Sequence, residues 1–303
     1  MDVSIMIEAQ NGLNWDRWRR LAPVVEHAGF HGLYRSDHFT NASPPDHAAL
    51  ELWVSLTWLA ENTSRIRFGP LVTPVSIRDP VMTARMAKDL DALAEGRVVL
   101  GLGAGWQVRE HQMFGYDLRI GRGRFDRFAE GLQIVDGLLR ENGPVSYEGE
   151  YYRLQDARLL PPPRGGKSPL VLVGGNGVHR TLPLAARFAD AWNGIFLTAG
   201  GFAMLSARLD ELAAVEDRGK RSIRRTLMTG LVFGIDAAEL ASRLGDRDAD
   251  TLRGRGIVVG TGDQVRPQLE ALAAAGVQEL MLQWLDLDDT DGLVALGEAV
   301  LGT

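Results

Sequence analysis

Along nearly all of its 303 residues the chain alternates short, continuously apolar runs with stretches of helical period. Strands that are apolar on both sides must be covered on both faces, and helices placed between them do the covering. This pattern therefore specifies βαβ units and a parallel sheet. Eight strands are read: Val3 to Glu8, Gly32 to Ser36, Ile66 to Gly69, Val98 to Gly103, Leu170 to Gly174, Ala191 to Phe196, Thr226 to Phe233 and Glu279 to Trp284. Between them the 3.6-residue period runs through Trp15, Trp18, Leu21 and Val25, then Met82, Met86, Leu90 and Leu93, then Phe125, Phe128, Leu132, Val135 and Leu139. Each set is expected to lay one stripe on the sheet. Eight units in 303 residues average about 38 residues each, more than a minimal barrel of ~250 residues needs, so some loops are extended. The expected fold is a (β/α)8 TIM barrel. The alternative is an open doubly wound sheet, which would bind a ligand where the strand order reverses.

Two segments exceed the repeating unit. The insertion at about 142–169, from Asn142 to Pro169, holds an alternating run from Val145 to Arg153 centred on Gly149, followed by Pro161-Pro-Pro163 and Gly165-Gly166. It reads as a β-hairpin and a stiff connector. The excursion at about 236–262 is expected to carry one short helix ahead of a helical segment from Asp263 to Ala275. No other period recurs, and residues 1–303 read as a single domain.

Composition removes several functions. A net charge of -6, from 33 basic and 39 acidic residues with no basic stripe, argues against a nucleic-acid partner. No apolar run approaches the ~18 residues of a membrane span, and the start MDVSIMIEAQ has an acid at Asp2 and no positive n-region, so the expected location is cytoplasmic, away from membranes. With no cysteine there are no disulfides, thiolate metal sites or thiol nucleophiles, and redox chemistry would need a borrowed cofactor. Nothing resembles HExxH and Ser36 lacks a G-x-S-x-G elbow, so neither a metal site nor a serine nucleophile is expected.

In a barrel the loops that follow the strands form the active face. Glu8 and Gln10-Asn11-Gly12 follow the first strand, Ser36-Asp37-His38-Phe39 the second, and Pro70 to Pro74 the third. Gly101-Leu-Gly-Ala-Gly105-Trp106 follows the fourth; its spacing is not a dinucleotide fingerprint, because Trp106 to Gly123 opens no apolar-periodic helix and no acid ends a following strand. It fits a tight strand exit, against whose bare backbone a flat ligand can lie. Gly174-Gly175-Asn176-Gly177 joins a strand to a helix, with His179 and Arg180 expected in the helix's first turn, where the dipole disfavours cations unless an anion is bound. This is a phosphate cradle or, alternatively, a structural turn with a solvated Arg180. Asp37 and His38 pair an acid with a tunable base, or form a helix cap with a satisfied histidine.

Taken in order, these loops resemble the luciferase-like monooxygenase superfamily, and within it the branch dependent on coenzyme F420. The matching strings are Ser4 to Glu8, Gly32 to Phe39, Arg65 to Pro74, Gly96 to Trp106, Val173 to Gly177 and Gly260 to Val265, covering nearly the whole chain. The resemblance implies a barrel with the deazaflavin ring in its mouth, flanked by Asp37 and His38 and backed by a non-prolyl cis peptide at Leu71-Val72. It implies further contacts from Thr73, Gly105 and Trp106, with the phosphate in the loop from Gly174 to Arg180. It also implies a homodimer acting on a small-molecule substrate. Sugar-phosphate dehydrogenases of this branch carry a glutamate where Trp106 stands and an aromatic near Ala42 and Ser43, which argues against a sugar phosphate here. A deazaflavin moves hydride, so the expected activity is hydride transfer with a proton moved by His38, or second by Glu8, whose other reading is a salt bridge to Arg35. The alternatives are an FMN-dependent monooxygenase and a non-catalytic flavin-binding barrel.

Overall fold

The computed structural model describes residues 1–141, 143–216 and 222–302. Its strands are β1 (Asp2–Ile7), β2 (Gly32–Arg35), β3 (Arg67–Pro70), β4 (Thr73–Pro74), β5 (Val99–Gly103), β6 (Val145–Glu148), β7 (Arg153–Ala157), β8 (Leu170–Gly174), β9 (Ala191–Ile195), β10 (Arg224–Phe233), β11 (Val258–Gly260) and β12 (Glu279–Gln283). The main sheet runs β3-β2-β1-β12-β10-β9-β8-β5-β4, every pairing parallel. β3 and β4 are two halves of one stave, separated by Leu71 and Val72, whose peptide bond is cis. A parallel bridge between Phe68 and Val98, with the Phe68 N–H donating to Arg97 O at 3.2 Å, closes the ring. The eight staves are the eight strands read in the sequence, and the open sheet is excluded by this closure.

The helices are α1 (Trp15–His27), α2 (Leu52–Asn62), α3 (Pro80–Leu93), α4 (Val108–Phe114), α5 (Arg122–Arg140), α6 (Thr181–Phe188), α7 (Ala199–Ala213), α8 (Ala237–Leu244), α9 (Ala249–Gly254), α10 (Gly262–Ala274) and α11 (Thr290–Leu301). Their starts are sequence-encoded: Asn14 accepts from Arg17 N, Asp79 accepts from Val81 N and Met82 N ahead of Pro80, and Thr261 with Gln264 forms a capping box. α1 and α5 bury the expected stripes through Trp18, Leu21 and Val25 and through Phe128, Leu132, Val135 and Leu139. α3 does not. Met82 and Leu93 are about half exposed, and the face turned to the barrel is built from Thr83, Ala84, Ala87 and Leu90. Small residues let this helix sit close, and its bulkier row lines a groove shared with Trp53 and Val54 of α2.

The excursion holds two short helices, α8 and α9, and the strand β11, which pairs with β10 outside the ring, where one short helix was expected. The segment after Trp106 is also partly helical, since α4 occupies it. In the insertion β6 and β7 form the antiparallel hairpin. Its turn is fixed by Glu130 of α5, whose carboxylate accepts the N–H groups of Glu150, Tyr151 and Tyr152 at 2.8, 2.9 and 3.2 Å. The expected first residue of the insertion, Asn142, and the last residue of the expected domain, Thr303, lie outside the described residues.

The barrel interior is plugged by Met6, Tyr34, Leu71, Val99, Leu172, Met228 and Met281, and a larger apolar layer lies between staves and helices. At the top of the plug the Val72 side chain lies against backbone. A Cβ on Gly103 would stand 2.6 Å from Val72 Cγ2, one on Gly174 would stand 3.0 Å from Val72 Cγ1, and one on Gly101 would run into Pro70 O. Gly103→Ala should therefore destabilise the fold by about 1–3 kcal/mol. Val72→Ala should restore part of that loss, but far less of the loss in Gly101→Ala, whose Cβ would also stand 3.0 Å from Val72 Cγ1 but whose worst clash is with Pro70 O, which stays in place. Chemical denaturation of the single and double variants measures both; equal rescue of the two glycine variants would contradict this packing.

Candidate active site

The strand exits enclose a cavity of ≈ 610 Å³ at the C-terminal end of the barrel, the size of a small-molecule site. A cavity of ≈ 680 Å³ lies at the opposite end, between the base of the hairpin and Asp190, but none of the expected site residues lines it. The mouth cavity is lined by Glu8, His38, Leu71, Val72, Gly105, Trp106, Gly174 and Gly175, eight of the residues expected from the sequence. Asp37, Thr73, Asn176, Gly177, His179 and Arg180 are not on its wall.

Each displacement has a local cause. Side chains alternate across an extended segment, so Asp37 and His38 point to opposite sides. The Asp37 carboxylate is buried and accepts from Thr73 Oγ1 at 2.6 Å and from Arg78 Nε and Nη2 at 3.0 and 2.8 Å. Burial lowers the Arg78 pKa, but Asp37 and then Glu51 outweigh it and hold the guanidinium well above its ordinary value. Thr73, itself fully buried, is spent on this pair. The Asn176 side chain is spent on β9, with Oδ1 accepting from Ile195 N at 2.9 Å and Nδ2 donating to Ile195 O at 2.7 Å. Gly175, at φ +127°, donates its N–H to Asn193 O at 2.9 Å. His179 and Arg180 are exposed and precede α6, with Arg180 at the N-cap and 3.5 Å from Asp126, so the expected placement in the helix's first turn is corrected.

His38 is the titratable centre of the site. Its Nδ1 lies 3.1 Å from Oε2 of Glu110, a fully buried residue of α4 that also accepts the Phe39 N–H at 2.9 Å. The Trp106 indole packs edge-on to the imidazole, with ring centroids 5.5 Å apart. Burial pushes the His38 pKa down, but the hydrogen bond and charge of Glu110, with smaller upward effects from Glu8 and Asp37, leave it raised. The anion that favours protonated His38 is therefore chiefly Glu110, with Asp37 a distant contributor. Nε2 has no protein partner among the described residues.

Glu8 accepts from Gln283 Nε2 at 2.6 Å and from Gln10 Nε2 at 2.8 Å. Its alternative partner Arg35 is instead buried behind the wall, bonded to the carbonyls of Leu50 and Glu51 and to Ser55, and burial lowers its pKa to about 10. Glu110, Gln283 and Arg124, all close to the site, were missed in the sequence. The signal for Glu110 was the helix α4: its buried face is Glu110 and His111, an inverted polarity that an apolar-period search passes over. No group of three or more His, Asp or Glu residues able to hold a metal ion occurs among the described residues, and no helix among them is long and apolar enough to cross a membrane.

A closed (β/α)8 barrel whose strand exits surround a buried His–Glu contact and a glycine-walled slot holds these residues at the face where barrel enzymes carry their active sites. Residues 1–251 match the family of luciferase-like monooxygenases, and the chain belongs to that family. It is similar to an F420-dependent glucose-6-phosphate dehydrogenase of Kineococcus radiotolerans, 32% identical over 222 residues, which span 72% of this chain and 64% of the relative. It is also similar to 4-hydroxyprotoasukamycin monooxygenase of Streptomyces nodosus subsp. asukaensis, 31% identical over 67% of this chain and 52% of the relative. Both matches thus span less than two thirds of the relative's length. Among solved structures, an F420-dependent secondary alcohol dehydrogenase in complex with an F420-acetone adduct superposes with a TM-score of 0.83 at 18% identity, covering 99% of each chain, which supports the fold.

Glu110→Gln should lower the His38 titration from its wild-type value, because it removes the carboxylate hydrogen bond and charge that chiefly raise it while burial remains. In the wild type the raised folded-state value means that protonation of His38 stabilises the fold fully below about pH 6.5, and that this stabilisation is lost as pH rises through the folded-state value. The variant should show less of it. NMR titration of the imidazole Cε1–H gives the shift; an unmoved titration would show that Glu110 is not its cause.

Proposed function

We propose that the chain is a coenzyme F420-dependent oxidoreductase that transfers hydride between the deazaflavin and a small organic substrate. The observation that carries this reading is His38, held by the buried Glu110 at one side of a slot whose other walls are Leu71, Val72 and backbone at Gly105, Gly174 and Gly175. Where glycines replace side chains the wall is flat enough for a fused ring, and the volume suits one, so the residues present fit the cofactor. The F420-dependent relative supports the same choice. When bound, the deazaflavin supplies a carbon that donates or accepts hydride.

The chain's own residues supply the proton. Hydride arriving at a carbonyl, enone or imine carbon leaves negative charge or basicity on the acceptor, and His38 Nε2 is placed to donate a proton to it. In the oxidative direction the same nitrogen takes the proton from the alcohol or amine. Glu110 fixes the ring through Nδ1 and favours its protonated form. Glu8, oriented by two amide donors, is placed to hold a substrate hydroxyl or N–H. Trp106 and Ala42 give the entrance an apolar lining, which suits an uncharged substrate better than a sugar phosphate.

The monooxygenase relative supports a second reading, an FMN-dependent monooxygenase in the same barrel. Titration with F420 and FMN, followed optically, separates the two. Screening enones, imines and alcohols with the bound cofactor then tests hydride transfer. Under the first reading His38→Ala should slow turnover by roughly 10²-fold or more while cofactor affinity stays nearly unchanged. In the reducing direction, kcat/KM should fall as pH rises through the raised His38 value, and Glu110→Gln should bring that fall to lower pH. Near-wild-type turnover in His38→Ala with cofactor bound would remove His38 from the reaction.

A further inference from the structure

The cationic side chains around the mouth are nearly all partnered. Arg78 holds Asp37 and Glu51, Arg109 holds Asp46, Arg122 and Arg180 share Asp126, and Arg127 donates to Tyr152 Oη at 3.0 Å. Arg124 is different. It lies in the first turn of α5 and lines the cavity together with Gly174, Gly175 and Thr181, yet it makes no hydrogen bond or ion pair with any described residue: its guanidinium lies over the Phe125 ring, 5.0 Å from the centroid, and its Nε is buried without a hydrogen-bond partner.

Two independent costs meet at this side chain. A guanidinium N–H removed from water and bonded to nothing is unfavourable. A cation in the first turn of a helix opposes the macrodipole, and the first turn of α5 has no acid to offset it. An anion bound in the cavity would relieve both. In the loop from Gly174 to Gly177 the Gly175 N–H and the Asn176 side chain are already bonded to β9, and His179 and Arg180 stay off the wall, so the guanidinium that lines the cavity is that of Arg124.

We propose that Arg124 is the anion-binding residue of the cavity and holds the phosphate of the cofactor's ribityl chain. This rests on the reading of the cavity as a cofactor site. F420 and FMN both carry that phosphate, whereas their precursors, the deazaflavin Fo and riboflavin, do not. FMN and riboflavin differ by the phosphate alone; F420 also carries a lactate and glutamate tail that Fo lacks, so its glutamate-free form is the one titrated, and inorganic phosphate is the control for the remaining lactate carboxylate.

The experiment is a fluorescence binding titration of all four compounds to wild type, Arg124→Gln and Arg124→Lys, with circular dichroism and thermal melting to establish that the variants fold. Wild type should prefer F420 to Fo, and Arg124→Gln should weaken F420 binding by roughly 10- to 100-fold, as expected for losing a charge-assisted hydrogen bond, with Fo binding unchanged. Arg124→Lys should keep part of the preference. Inorganic phosphate should raise the melting temperature of ligand-free wild type more than that of Arg124→Gln. An F420-to-Fo ratio unchanged in a folded Arg124→Gln variant, or equal losses for both compounds, would overturn the assignment and leave the cofactor reading standing. If only FMN and riboflavin bind, the same ratio decides Arg124 while F420 is overturned. If wild type binds none of the four, both fail.

Discussion

The mouth of this barrel depends on one packing contact, the Val72 side chain against backbone that carries no Cβ. Val72 sits in the break of the third stave, and its two methyl groups occupy the space that side chains at Gly103 and Gly174 would need. This contact is the lid of the core plug and the floor of the cavity. With side chains at those positions the interior would fill to the rim, as barrel interiors otherwise do. The glycine spacing after the fourth strand is thus accounted for by steric room, without any dinucleotide.

Above that floor, charge is sorted by strand alternation. Asp37 and His38 are neighbours in sequence, yet one is committed to a buried ion pair with Arg78 and the other faces the slot. The Asp37–Arg78 pair ties the second stave's exit to the segment after β4. The His38–Glu110 pair does for the site what Asp37 had been expected to do. Burial alone would lower the His38 pKa; the buried carboxylate from α4 reverses the sign of that effect. The acid that sets the proton donor comes from a loop helix some seventy residues away in the chain, a distance that local spacing in a sequence does not reveal.

The staves were legible because continuous apolar runs and short connections leave few arrangements, and the hairpin because its alternation and turn glycine are local signals. The cavity wall was legible wherever it is made of strand-end residues, as with Glu8, His38, Val72 and Gly175. Sequence reasoning failed where a side chain's partner decides its direction. Thr73 and Asn176 have the chemistry of ligand-binding residues but are consumed by Asp37 and Ile195. The Met82 and Leu93 row on α3 has the right period, but the barrel accepts the smaller alanine face because it permits closer approach. In each case the competing partner lies in another element, and hydrophobicity and spacing carry no information about it.

The ring order also fixes how a ligand can lie. With β3 and β4 counted as one stave, β1 and β8 are four places apart among eight, on opposite sides of the barrel. Glu8 stands at the exit of β1 and the His38–Glu110 pair at the exit of the adjoining β2, so both carboxylates of the cavity wall lie on one side. Gly174 and Gly175 end β8 opposite them, and Arg124 approaches on the helix that connects β5, through the hairpin, to β8. The wall is therefore polar along one diameter, acidic at one end and cationic at the other. A molecule with a neutral planar body and an anionic tail is repelled from the acidic end and attracted to the other, in a slot whose low dielectric strengthens both effects. Such a ligand has one favourable orientation, and that orientation leaves the space beside His38 for a second, uncharged reactant.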